Sequence, residues 1–142
     1  MCIRDRCVNT AAVLLGKIAA TAVLKPEFEL LAGRYLDTAI EWLIDPRYEI
    51  RRYAGVLIVS QLIRNVPTMV YSTRKLIVER FWSTILDNSH AVREATSLAI
   101  SDLLRMLCTR LSDGEILEHF QTAASLISVS YTHLTLPTIL RV

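Results

Sequence analysis

Apolar residues recur at helical spacing along most of the chain and are interrupted at a few sharp points. From Val8 to Leu24 nearly every residue is apolar or small, with Lys17 in the middle, which predicts a helix buried on most sides. Pro26 ends that run, because proline supplies no backbone donor and biases its predecessor away from helix. Phe28, Leu31, Ala32, Tyr35, Leu36, Ala39, Ile40 and Leu43 then share one helical face, with Arg34, Asp37 and Glu41 on the other. Asp45-Pro46 predicts a turn in which the aspartate caps free amides and the proline enters the next helix. That helix carries Ile50, Tyr53, Ala54, Leu57, Ile58 and Leu62 on one face and ends before Pro67. A further pair follows, first Ile77, Val78, Phe81, Trp82, Ile85 and Leu86, then Val92, Ala95, Ala99, Ile100, Leu103, Leu104 and Leu107. Ser112-Asp113-Gly114-Glu115 reads as a capping box. It opens a last helix whose face holds Ile116, Leu117, Phe120, Ala123, Ala124 and Ile127.

Two of these helical pairs repeat one another at a fixed offset of 42 residues. Asp45, Ile50 and Arg51 align with Asp87, Val92 and Arg93, and around them Leu43-Ile44 meets Ile85-Leu86, Ile58 meets Ile100 and Leu62 meets Leu104. A helical period of roughly 40–47 residues is the signature of HEAT and armadillo arrays. The fold class expected is therefore all-α, an α-solenoid of HEAT/armadillo-like repeats, which presents surface to partners. Counting back 42 from Ile50-Arg51 reaches Val8-Asn9, so the first helix takes the inner position of an earlier repeat. The chain is expected to begin and end within an array.

The two ends fit no repeat. Residues 1–6 and 128–142 lose helical periodicity abruptly and resemble translated adapter read-through, so they are expected to be a non-native leader and tail around a repeat segment at 7–127. That division changes the charge argument. The whole chain has 16 Lys+Arg against 14 Asp+Glu; without Arg4, Arg6 and Arg141 there are 13 bases, and without Asp5 there are 13 acids. A neutral segment carries no electrostatic footprint for nucleic acid.

Only 4 Gly and 4 Pro favour helices over a turn-rich β fold, and 52% hydrophobic residues suffice for a core. Three cysteines, Cys2, Cys7 and Cys108, make no disulfide framework and fit a reduced, intracellular protein. The apolar run at 10–24 falls short of about 20 residues and holds Lys17, so it predicts a buried helix and no transmembrane segment.

No residue constellation predicts catalysis, cofactor binding or a metal. His90 and His119 lack partners at ligand spacing, Cys108 reads as buried packing, and no glycine-rich phosphate loop occurs. Trp42, Trp82 and Phe81 sit at core or ridge positions. Arg47, Arg51, Arg52, Arg64, Arg74, Lys75 and Arg80, interleaved with Glu41, Asp45, Glu49 and Glu79, read first as a solvated mixed-charge face and second as a partner-docking patch. The candidate site is structural: Asp45, Arg51, Asp87 and Arg93 are expected to form a hydrogen-bonded ladder between neighbouring repeats.

The wording of the chain carries a more specific likeness. Ala39-Ile40-Glu41-Trp42-Leu43, Glu49-Ile50-Arg51-Arg52-Tyr53-Ala54-Gly55-Val56-Leu57, Asn65-Val66-Pro67-Thr68 and Ala91-Val92-Arg93-Glu94-Ala95 resemble, in order and spacing, the N-terminal HEAT region of target-of-rapamycin kinases. The resemblance covers roughly Val8 to Arg110. It implies a very large cytoplasmic serine/threonine kinase of the phosphatidylinositol-3-kinase-related class, in which this region docks accessory subunits and helps assemble a dimer. ATP and magnesium belong to a kinase domain whose motifs do not occur here, so no catalytic or nucleotide-binding residue carries over. The alternative from the repeats alone is an adaptor unrelated to kinases, of the transport-receptor or phosphatase-scaffold type.

Overall fold

Seven helices and no strand are found in residues 2–139, the part of the chain that the computed structural model describes. The side chains at 28, 126, 127 and 129–139 fall outside the description, so the expected core roles of Phe28 and Ile127 lie outside the described residues. The helices are α1 (Ile3–Ala22), α2 (Pro26–Leu43), α3 (Glu49–Asn65), α4 (Pro67–Tyr71), α5 (Arg74–Thr84), α6 (His90–Cys108) and α7 (Asp113–Ile139). α1, α3 and α6 pack side by side as one row, while α2, α5 and α7 form a second row against it. Equivalent positions of successive repeats are neighbours: Ser60 of α3 bonds Asp102 of α6, and Thr68 of α4 bonds Arg110 just past α6, each pair 42 residues apart. The chain is an all-α helical-repeat solenoid.

α3 is the axis of the fold, because it packs on α1, α2 and α6 at once. Val56 and Val59 are fully enclosed, and Leu62 and Ile63 nearly so, whereas the residues expected to face the core, Tyr53, Leu57 and Ile58, are only partly covered. The reason is geometric. The middle of α3, 53–59, is apolar or small on every side and its polar residues lie toward the two ends, so no single stripe marks the buried surface. Each enclosed side chain of this size contributes about 1.5–3 kcal/mol. α6 follows its pattern more closely, with Val92, Ala99, Leu103 and Leu107 buried, and so does α5, with Ile77, Val78 and Phe81.

Several local expectations change. Pro46 does not enter α3, which starts only at Glu49. Asp45 Oδ1 accepts the amides of Arg47 (2.9 Å) and Tyr48 (2.8 Å), so it closes the loop and leaves α3 without a side-chain cap. Pro67 ends α3 and also occupies the first turn of the short α4, where its missing donor costs nothing; α4 seats Val70 in the core. At the start of α7 the Glu115 carboxylate accepts from the Ser112 amide (3.2 Å) and hydroxyl (3.0 Å). α7 packs chiefly on α5 and buries Ala123, but leaves Leu117 and Phe120 exposed. The helical backbone marks no boundary at either suspected junction, since α1 begins at Ile3 and α7 runs on to Ile139.

Two glycines set how closely α3 is approached. A Cβ on Gly55 would stand 2.8 Å from the Ala39 carbonyl oxygen and 3.2 Å from the Leu43 nitrogen, both backbone atoms of α2. On Gly16 of α1 it would meet the Asn65 amide nitrogen at 2.8 Å. No helix among the described residues is long and apolar enough to cross a membrane.

Candidate functional site

The turns that precede α3 and α6 lie next to each other, and polar groups join them. Asp45 accepts Arg51 Nη1 at 3.0 Å within its own repeat, and Arg51 also lies over the Tyr48 ring. Arg93 donates to the carbonyls of Asp87 (2.7 Å) and Asn88 (2.9 Å), again within its own repeat. Of the four residues singled out in the sequence, none therefore reaches across the repeat boundary to another. The crossing is made by Arg52. Its Nε and Nη2 donate to Asp87 Oδ2 (2.6 Å) and Oδ1 (3.2 Å), while Nη1 donates to the Asp45 carbonyl (3.0 Å). One guanidinium thus ties both turns through a two-pronged carboxylate contact.

Further hydrogen bonds surround this contact. Asp87 Oδ1 accepts the Ser89 amide at 2.8 Å, and the Ser89 hydroxyl donates to Glu49 Oε1 at 2.7 Å, joining the first turns of α3 and α6. Farther along the same helices, Asp102 accepts from Ser60 (3.1 Å) and from Arg64 Nε (2.8 Å). The Arg52–Asp87 pair is the covered one, with 19% and 8% of the side chains exposed; Arg51 is half exposed, which limits its worth.

Electrostatics follow this geometry. Burial pushes the Asp87 carboxyl up, but the Arg52 fork, the Ser89 amide and nearby Arg93 outweigh it and hold the group below its ordinary value. Asp45 is also lowered, first by the Tyr48 amide, then by the Arg47 amide, and further by Arg51. Asp87 in turn holds the Arg52 guanidinium above its usual range. Both carboxylates are anchored in their charged form, which suits a structural tie and not proton transfer.

Arg52 had one weak signal in the sequence, its place beside Arg51. Its equivalent 42 residues on is Glu94, so a search for repeated positions discards it. The broader basic cluster does not converge. Arg51 and Arg52 serve the turns, Arg64 sits at the far end of α3, and Arg74 lies over the Tyr71 ring at 4.2 Å. Cys108, the last residue of α6, is exposed and not buried, although Leu107 beside it is in the core. It lines a small apolar crevice between α5, α6 and α7 with His119 and Trp82, while His90 lies elsewhere, exposed beside Glu94. Among the described residues no three His, Cys, Asp or Glu side chains are grouped to hold a metal. Phe81 is fully buried and Trp82 packs against the core.

Comparison with known proteins bears on these observations. The chain is 30% identical over 133 residues to the serine/threonine-protein kinase tor1 of Schizosaccharomyces pombe, a match covering 89% of the chain and 6% of that protein. It is 31% identical over 99 residues to the serine/threonine-protein kinase TOR of Oryza sativa subsp. japonica, covering 68% of the chain and 4% of that protein. The chain thus spans about one-twentieth of the curated relatives it matches. No family model matches it, and no solved structure does.

Proposed function

The chain is a TOR-related segment, and from that premise we propose that it is a non-catalytic scaffold of HEAT type within a TOR-like serine/threonine kinase. Its work is protein–protein docking: holding accessory subunits and supporting complex and dimer assembly in cytoplasmic growth and nutrient signalling. Phosphoryl transfer, with ATP and magnesium, belongs to the parent's kinase domain and to no residue of this segment.

The observation that carries this reading is the Arg52–Asp87 tie. It joins neighbouring turns, and with the Ser60–Asp102–Arg64 contact farther along it fixes α6 on α3 at both ends. Repeats locked in register present a fixed surface to partners, which is what a solenoid scaffold supplies. The residues gathered at the turns are anchored charges without a nucleophile or a free base, so the segment's contribution is shape.

The test uses the purified chain immobilised against purified accessory subunits of a TOR complex, with ATP hydrolysis assayed in parallel. Saturable binding of a subunit with no ATP turnover is expected. Turnover by this chain, or the absence of binding to every subunit, defeats the proposal.

A further inference from the structure

Arginines gather where α3 and α6 end and α4 begins. Arg64 lies in the last turn of α3, Arg105 in the last turn of α6, and Arg110 just beyond it. These three line an open groove of about 340 Å³, whose apolar part is the half-buried Pro67 over the nearly enclosed Ile63 and Met106. That volume lies within the range of roughly 300–1,000 Å³ typical of ligand clefts.

The groove's carboxylate, Asp102, is already committed to Arg64 and Ser60. Arg105 has no acidic partner among the described residues, and Arg110 donates only to the neutral Thr68 hydroxyl, at 3.1 Å. Arg110 is nonetheless held in place. Its guanidinium lies over the Tyr71 ring, which Arg74 also covers, so two cations flank one aromatic side chain. Cations in the last turn of a helix are favourable beside its carbonyl ends, which accounts for Arg64 and Arg105 as structural residues. It does not account for Arg110, which lies past the helix and is positioned by the ring and by Thr68. Glu115, which feels the Arg74 charge, is engaged by Ser112.

We propose that this groove docks an acidic peptide segment of a partner protein, its carboxylates meeting Arg105 and Arg110 and an apolar side chain resting on the half-buried Pro67. Guanidinium groups offer planar donor forks that fit carboxylates, and the surplus positive charge supplies the complementarity. This rests on the docking reading above and gives it a place and a partner chemistry.

The experiment is fluorescence anisotropy of the whole chain with a labelled peptide of alternating glutamate and leucine. The same peptide with glutamine for glutamate serves as the neutral control. The acidic peptide is expected to bind, and to bind more weakly as salt rises from about 50 to about 200 mM. Arg105→Glu is expected to weaken it about tenfold or more, and Arg110→Gln to weaken it less. Lys75→Glu, an exposed site on α5 outside the groove, leaves it unchanged. Circular dichroism confirms that each variant is folded; Arg105 is exposed and unpaired, so its replacement spares the core. No binding by the unaltered chain, or an equal loss in Lys75→Glu, overturns the proposal. A chain that ignores the peptide but binds an accessory subunit loses the groove and keeps the scaffold role, whereas failure of both removes both.

Discussion

Arg52 grips Asp87, 35 residues away in the next repeat, through both carboxylate oxygens, at 2.6 and 3.2 Å. Arg51, its immediate neighbour, binds only within its own repeat and is half exposed. The two adjacent arginines therefore differ in what their loss removes. Arg52→Ala leaves the covered Asp87 carboxylate without its fork and is expected to cost about 2–3 kcal/mol. Arg51→Ala, which removes a solvent-screened pair, is expected to cost clearly less. Urea unfolding of the two variants decides it, and equal losses would remove Arg52 from its place as the tie between repeats.

Acid should loosen the same tie. Asp87 has a native pKa below its unfolded value of 3.8, so folding favours the ionised form. Its contribution is therefore fully present above about pH 3.8 and is lost as pH falls through the lowered native value. Asp45 is shifted in the same direction and adds to the trend. The melting temperature, followed from pH 6 downward, should drop more steeply below about pH 4 in the unaltered chain than in Asp87→Asn, which starts lower and cannot titrate there. A variant as acid-sensitive as the parent chain would show that other carboxylates govern the limb.

Exposed thiols give a direct check on the surface. Cys2, Cys7 and Cys108 are all free and exposed. A disulfide exchange reagent added to the native chain should titrate all three without denaturant. Two rapid equivalents and a third only in urea would mean that Cys108 is packed, as its apolar surroundings in the sequence first imply.

What the sequence discloses and conceals follows from periodicity. The helices, their order and the 42-residue period were legible, because apolar spacing and two prolines write them directly, at Ala39-Ile40 and Leu43 or at Val92, Ala99 and Leu103. α4 escaped, since Pro67 reads as a stop and five residues are too few to show a period. The buried side of α3 was misjudged because Val56, Val59 and Ile63 face neighbours on several sides and leave no polar stripe to mark the outside. At the turns, the repeated pairs Asp45/Asp87 and Arg51/Arg93 drew attention to equivalent positions. The contact between repeats is asymmetric, however, and rests on Arg52, whose counterpart is Glu94. The groove was hidden too, because Arg64 lies at the end of α3 and Arg105 and Arg110 at the end of α6, and they meet only through the stacking of α6 on α3.

The approach of α2 to α3 offers the sharpest test of the packing. At Gly55 an added methyl would stand 2.8 Å from the Ala39 carbonyl oxygen, and the obstructing atoms are backbone, which cannot swing away as a side chain does. Gly55→Ala must therefore push α2 outward and loosen the contacts of Leu43, Val56 and Val59, at an expected cost of about 1–3 kcal/mol. Gly33, within α2, has nothing within 4 Å of the same added atom and no positive φ. There, alanine only lowers the entropy of the unfolded chain and improves helix propensity, so Gly33→Ala should stabilise by about 0.4–1 kcal/mol. Thermal unfolding of the two variants side by side separates steric contact from propensity: opposite signs are expected. Stabilisation by both would mean that α2 and α3 stand farther apart than the structure places them.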